Sequence, residues 1–155
     1  MDKKDIIIYS QKDFEDVMYR LDIRDENVKN FEKRLAFISI LEPRCGHWFK
    51  SNHENVLNID FYDLETDIEE MGYKAITPEQ ADEIIDFIEK NQEKQFHIHC
   101  HAGLSRSAGV AWFIRDYYDW VDKEKFDRNY KGRKFPNQKV FMELKRAYER
   151  KYYKD

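Results

Sequence analysis

Scarce cysteine and the lack of any long apolar run limit what this 155-residue chain can be. Its two cysteines, Cys45 and Cys100, are too few for a disulfide framework and indicate a reducing compartment. No apolar stretch approaches the roughly 18 residues that a membrane span needs. The apolar part of the N-terminus is also too short for a signal peptide. We therefore expect a cytoplasmic protein that does not enter a membrane.

The composition is that of a globular protein. The sequence contains no repeats, low-complexity tracts or linkers, and 41% of its residues are hydrophobic and 15% aromatic. This length suits one domain with a real core, so we expect residues 1–155 to form a single domain. The net charge of −4 disfavours nucleic acid as a partner. We also expect the protein to be a monomer.

Strand and helix patterns alternate along the chain. Short apolar segments predict strands at 6–9, 35–41, 55–63 and 95–99. Helical spacing and start signals predict helices at 11–21, from 78 to about 88, after 106, at 122–130, and from 136 to about 148. The fold class implied is α/β, with a mainly parallel central sheet flanked by helices.

One strand–loop–helix segment has the properties of an anion site. Cys100 follows the strand at 95–99, and the segment after Arg106 is apolar and helix-like. A loop that enters a helix N-terminus directs free N–H groups and the positive end of the helix dipole towards an anion. Gly103 permits a backbone conformation or a close approach that a Cβ would obstruct.

Cys100 and Arg106 add reactive groups to this loop. In such a setting the pKa of a cysteine thiol falls from about 8.5 to roughly 3.5–7.5, which makes it a thiolate nucleophile at neutral pH. A guanidinium binds two phosphoryl oxygens at once, which a lysine cannot reproduce. The set predicts cysteine-based hydrolysis of phosphate monoesters. The predicted phosphate-binding residues are His101, Ala102, Gly103, Leu104, Ser105 and Arg106.

The run from His99-Cys100 to Arg106-Ser107, with five residues between the cysteine and the arginine, resembles the signature of the cysteine-dependent protein tyrosine phosphatases. Within that superfamily the chain looks most like the compact dual-specificity group and its small bacterial and phage members. The resemblance implies a phosphocysteine intermediate and no metal or cofactor. It also implies that His99 supports the cysteine and the loop from behind. Ser107 would stabilise the departing thiolate, or cap the following helix as an ordinary N-cap, or do both.

A phosphatase also needs an acid that protonates the leaving oxygen, and three carboxylates qualify. Asp63 closes the segment 55–63 and lies just past the end of its strand, and the carboxyl ends of parallel strands meet at one sheet edge, where Cys100 also lies. The resemblance also favours Asp63. Asp67, in a very acidic loop, and Asp60, within the strand, remain alternatives. Each of the three also fits an ordinary solvated carboxylate.

The resemblance implies a phosphorylated protein or peptide as substrate, with phosphotyrosine as the default. The loop lacks the lysines of the inositol-lipid phosphatases, and Ser105 stands where related RNA 5′-triphosphatases usually carry asparagine. Both of those substrate classes are disfavoured and stay open. A basic cluster would either steer phosphorylated substrates or form a solvated face; it comprises Arg128, Lys131, Arg133 and Lys134.

Two hypotheses of other classes stay open. The first is a phosphate-binding pseudophosphatase that keeps Cys100 and Arg106 but lacks an effective acid. The second is a metal-binding protein that uses a cysteine with His97, His99 and His101. Cys45 is either a redox partner for Cys100 or an incidental loop cysteine.

Overall fold

A four-stranded parallel sheet forms the centre of the molecule. The computed structural model describes residues 2–153, and within them four strands form one sheet in the order β1-β4-β2-β3. All three neighbouring pairs are parallel, which confirms the predicted α/β class. The strands are β1 (Ile6–Ser10), β2 (Leu35–Leu41), β3 (Val56–Asp60) and β4 (Gln95–Cys100). Strand β3 is shorter than the predicted segment 55–63.

The predicted helices are present, and local sequence explains their starts. They are α1 (Gln11–Leu21), α2 (Pro78–Lys90), α3 (Arg106–Tyr117), α4 (Lys123–Tyr130) and α5 (Gln138–Tyr152). Ser10 caps α1, and Thr77 and Gln80 form a reciprocal capping box at the start of α2. Helix α5 extends beyond the end predicted near Tyr148. Of the helices in residues 2–153, none has both the length and the apolar character needed to cross a membrane.

Both faces of the sheet are buried. Along β2, Ala36, Ile38 and Ile40 belong to the larger core cluster, which also contains side chains of α2, α3 and α5. Phe37 points to the other face, where it packs with Phe14 of α1 in a second cluster. A nearly continuous apolar strand is typical of a parallel sheet covered on both sides. Each large apolar side chain buried this way contributes about 1.5–3 kcal/mol.

The strand register brings several chain segments to one edge of the sheet. Cys100 at the end of β4 pairs with Ser10 at the end of β1, and Leu41 of β2 pairs with Asp60 of β3. The residues that follow these ends therefore leave the sheet on the same side. In open α/β sheets, ligands bind outside this carboxyl edge.

Candidate active site

Cys100 is a buried thiol surrounded by donors. It is only 2% exposed, and its Sγ lies 3.1 Å from the Ser107 hydroxyl. Burial raises the pKa of this thiol, but the Ser107 hydroxyl, the Ser107 N–H, the Arg106 charge and the Gly103 N–H together outweigh burial. The pKa of Cys100 is therefore below its ordinary value, which favours the thiolate.

Two partners fix the Arg106 guanidinium, and one of its donors remains unused. Arg106 is 3% exposed; one terminal nitrogen donates to the Phe61 carbonyl at 2.8 Å and the other to Glu42 Oε1 at 3.1 Å. Its buried Nε has no acceptor among residues 2–153. A buried donor without a partner costs about 1–3 kcal/mol, which an anion oxygen would offset.

The loop between Cys100 and Arg106 lies directly against the end of β1. Gly103 has φ +70°, and a Cβ there would be 2.5 Å from both Ser10 N and the Tyr9 carbonyl carbon. The steric role predicted for Gly103 is therefore confirmed for both the conformation and the close approach. At the start of α1, Gln11 N donates to the His101 carbonyl at 3.0 Å and so fixes the other end of the loop.

Helix α3 starts without a side-chain cap. Its first residue is Arg106, so Ser105 occupies the N-cap position, and the interpretation of Ser107 as the N-cap is wrong. The Ser105 hydroxyl does not cap the helix but donates to Asp63, while the fully buried Ser107 faces the Cys100 sulfur. Side chains cap the other four α-helices within residues 2–153. The uncapped N-terminus of α3 keeps its first N–H groups and its positive dipole end for an anion.

Of the three candidate acids, Asp63 is the one in contact with the loop. Its Oδ1 accepts hydrogen bonds from Ser105 Oγ at 2.8 Å and from Asn137 Nδ2 at 2.7 Å, while the side chain remains exposed. Asp67 instead accepts from the backbone N–H of Ala75 at 2.9 Å, which holds its own loop. Asp60 pairs with His47, away from this contact. The structure thus brings Asp63 to the rim of the loop.

Two residues at the site were missed in the sequence. Glu42, which holds Arg106, directly follows β2, so the parallel-edge rule that selected Asp63 also applies to it. Asn137 is 4% exposed and caps α5, and its N–H donates to the Ser105 carbonyl at 3.0 Å. Its position before α5 is a recognisable cap signal, but nothing local in the sequence indicates its bond to Asp63.

His99 lies behind the nucleophile. It is fully buried, its ring stacks on Phe14 with centroids 4.3 Å apart, and its Nε2 is 2.7 Å from Ser39 Oγ. Its Nδ1 is 3.4 Å from the Cys100 carbonyl oxygen. Burial lowers the pKa of His99 to about 4, so the imidazole is neutral at pH 7.

Two apolar side chains are exposed where the loop meets the segment before α5. Leu104 is 47% exposed and Phe135 is 68% exposed, and the Phe135 N–H donates to the Leu104 carbonyl at 3.0 Å. Arg133 and Lys134, two members of the predicted basic cluster, directly precede Phe135. The exposed His101 completes the loop side of the rim.

The metal-binding hypothesis finds no support in the histidine contacts. His97 engages Tyr9 with one ring nitrogen and Gln95 with the other, each at 2.8 Å. In the described part of the chain, no group of three or more His, Cys, Asp or Glu side chains is arranged to hold a metal ion. Cys45 is exposed whereas Cys100 is buried, and neither forms a disulfide.

Comparison with known proteins identifies the fold. No family model and no curated protein matches the chain. The Cydia pomonella PTP-2 phosphatase is 17% identical, with 93% of this chain and 88% of that chain covered and a TM-score of 0.51. A human tyrosine phosphatase-like serine/threonine/tyrosine-interacting protein is 17% identical, with 96% of this chain and 93% of that chain covered and a TM-score of 0.48. Human DUSP28 is 13% identical, with 97% of this chain and 95% of that chain covered and a TM-score of 0.46. The match to the PTP-2 phosphatase shows that the chain has the tyrosine-phosphatase-like fold that its sequence predicts.

Proposed function

We propose that this protein of tyrosine-phosphatase-like fold hydrolyses phosphate monoesters through a phosphocysteine intermediate, without a metal or cofactor. One observation carries the proposal: Cys100, with its lowered thiol pKa, shares a loop with Arg106, whose buried Nε lacks a partner among residues 2–153. The loop leads into the uncapped N-terminus of α3. A thiolate beside unused donors is the arrangement that phosphoryl transfer to sulfur requires.

In the first step the Cys100 thiolate attacks phosphorus in line. A sulfur–phosphorus bond forms, and the bond from phosphorus to the leaving oxygen breaks. Arg106 and the loop N–H groups stabilise the charge on the other phosphoryl oxygens. Asp63 gives its proton to the leaving oxygen; Ser105 and Asn137 hold its Oδ1, so Oδ2 is the oxygen that carries the proton.

In the second step water attacks the phosphocysteine. The Asp63 carboxylate, now ionised, takes a proton from this water, the sulfur–phosphorus bond breaks, and inorganic phosphate leaves. The Cys100 thiolate re-forms with the Ser107 hydroxyl 3.1 Å from its sulfur. A hydrogen bond to the charged form stabilises this leaving group.

The proposed substrates are phosphorylated proteins or peptides, with phosphotyrosine first. The exposed Leu104 and Phe135 at the loop offer apolar surface to an aromatic ring, and the neighbouring Arg133 and Lys134 attract anionic substrates. The proposed location is the cytoplasm, because the nucleophile must stay a reduced thiolate and reducing compartments keep thiols in that state.

A phosphate-binding role without turnover is the second candidate. Ser105 and Asn137 hold Asp63 Oδ1 at the rim of the loop, whereas a general acid must reach the leaving oxygen. If Asp63 stays in these contacts when substrate binds, the loop would bind a phosphorylated partner and not release phosphate.

Hydrolysis of an aryl phosphate in the presence of a chelator tests the proposal. Wild type and a Cys45→Ser variant should turn over equally, and Cys100→Ser should be inactive, because only the buried thiol lies in the loop. Turnover that survives Cys100→Ser would contradict the mechanism. An inactive wild type that binds vanadate would support the phosphate-binding role instead.

A further inference from the structure

A chain of hydrogen bonds connects the protein surface to the residue behind Cys100. Asp60 Oδ1 lies 2.5 Å from His47 Nε2, and His47 Nδ1 lies 2.6 Å from Ser39 Oγ. Ser39 Oγ is in turn 2.7 Å from His99 Nε2. The Asp60 side chain is 41% exposed, whereas Ser39 and His99 are buried. These hydrogen bonds therefore connect solvent to the His99 imidazole, which contacts the Cys100 carbonyl.

The Asp60–His47–Ser39 part has the donor order of a hydrolytic triad but cannot act as one. Ser39 lies in the middle of β2 and is 1% exposed, so no substrate reaches its hydroxyl. Its oxygen is also engaged by His99. These side chains therefore do not form a second catalytic site. The donor and acceptor roles at one hydrogen bond instead determine those at the next.

The single hydroxyl proton of Ser39 allows two arrangements. In the first, neutral His47 donates from Nε2 to Asp60, Ser39 donates to His47 Nδ1, and His99 Nε2 donates to Ser39. Neutral His99 then has its only proton on Nε2. Its Nδ1 lone pair faces the Cys100 carbonyl oxygen, where no hydrogen bond forms.

In the second arrangement His47 carries an additional proton. Its two N–H groups donate to the Asp60 carboxylate and to Ser39, so Ser39 donates to His99 Nε2. The His99 proton then lies on Nδ1 and points to the Cys100 carbonyl oxygen. That hydrogen bond polarises the peptide group next to the nucleophile and stabilises negative charge on the sulfur.

We propose that His47 and Asp60 are positioning residues that select the His99 tautomer through Ser39 and thereby set the ionisation of the Cys100 thiol. The inference rests on the proposed function for its catalytic meaning. The second arrangement needs an acceptor of opposite charge at His47 Nε2, and the Asp60 carboxylate supplies it.

Other charged groups face His47 without joining the chain. Its surface concavity is lined by five of them: Glu15, Arg24, Asp25, Glu26 and Lys50. Asp25 is occupied by His53 and by the Lys50 N–H, and Arg24 by Asp22. From the interior, the Arg106 charge acts on His99. Asp60, which is not one of these five lining groups, has its carboxylate within hydrogen-bond distance of His47.

Alkylation of Cys100 by iodoacetamide over a range of pH measures the thiol pKa without any need for turnover. In a Cys45→Ser background, Asp60→Asn should raise that pKa by about half a unit to one unit, because a net hydrogen-bond contribution corresponds to a shift of that size. Glu26→Gln removes an equal charge from the concavity beside His47 and should leave the profile unchanged.

Interrupting the chain of hydrogen bonds at Ser39 provides the second comparison. In a Ser39→Ala background, Asp60→Asn should no longer shift the thiol pKa, since the connection to His99 is lost. Nitrogen-15 shifts of histidine should show the His99 proton moving from Nδ1 towards Nε2 in Asp60→Asn. A purely structural role for Asp60 would not produce this tautomer change.

Each outcome decides the inference separately from the proposed function. An Asp60→Asn profile identical to that of Glu26→Gln would overturn it, whether or not the protein is a phosphatase, and so would an unchanged His99 tautomer. If wild type shows no turnover while Asp60→Asn still shifts the thiol pKa, the proposed function fails and the positioning role stands.

Discussion

Replacing Gly103 by alanine tests whether the loop must lie against β1 as closely as the structure shows. The new Cβ would be 2.5 Å from Ser10 N and 2.6 Å from the Tyr9 carbonyl oxygen. These are backbone atoms at the end of a paired strand, so the loop must move instead of the neighbour. Gly72 has the same φ of +70°, but a Cβ there would meet no atom of residues 2–153 within 4 Å beyond its chain neighbours, which makes Gly72→Ala a matched control.

The two substitutions separate backbone strain from steric clash. A left-handed conformation costs an alanine about 1–2 kcal/mol. Reduced freedom of the unfolded chain returns roughly 0.4–1 kcal/mol of that cost. Gly72→Ala should therefore lower the free energy of unfolding by no more than about 1.6 kcal/mol. Gly103→Ala adds about 1–3 kcal/mol for the overpacked contact.

Urea unfolding and aryl phosphate kinetics measure both consequences. Gly103→Ala should be less stable than Gly72→Ala by the clash contribution of about 1–3 kcal/mol, and its kcat/KM should fall at least about 100-fold as the loop donors leave their positions. Gly72→Ala should keep wild-type activity. Equal stability and equal activity of the two variants would refute the close approach at Gly103.

Three further substitutions probe single contacts. Arg106→Lys keeps the charge but loses the planar fork and the Nε that has no acceptor among residues 2–153, so kcat/KM should fall about 100-fold or more. Near-normal kinetics would contradict the role of Arg106 in binding the phosphoryl oxygens. Ser107→Ala removes a hydrogen bond to the sulfur, so the pKa of the Cys100 thiol should rise and alkylation below that pKa should slow; an unmoved profile would count against the contact. Asn137→Ala removes the α5 cap and a donor to Asp63, so the free energy of unfolding measured in urea should fall by about 0.5–2 kcal/mol and kcat should also fall. Unchanged stability together with unchanged kcat would be inconsistent with these contacts.

The features that local sequence encodes were predicted correctly. The strand before Cys100, the glycine in the loop and the apolar helix after Arg106 are adjacent in the chain, so one short segment specifies the strand–loop–helix unit. Asp63 was favoured by a general rule about parallel strands, and the structure brings it to the loop. Its role as the acid stays a proposal.

Contacts between distant segments were not predicted, because no local pattern encodes them. Glu42 reaches Arg106 and Asn137 reaches Asp63 only after the sheet and α5 have assembled. The interpretation of Ser107 as a cap would start α3 two residues late. In the structure, the hydroxyl of Ser105 donates to Asp63 and that of Ser107 lies against the Cys100 sulfur. A serine at a helix start thus indicated a cap, but contacts with distant segments determine what the Ser105 and Ser107 hydroxyls bind.

Direct detection of the phosphocysteine tests the central claim most closely. Asp63→Asn should slow hydrolysis of the intermediate, while an aryl phosphate with a good leaving group needs little protonation in the first step. After a rapid acid quench, mass spectrometry should find one phosphoryl group on the peptide that contains Cys100 and none on the peptide that contains Cys45. Turnover of the aryl phosphate with no phosphoryl group on Cys100 at any quench time would contradict the account.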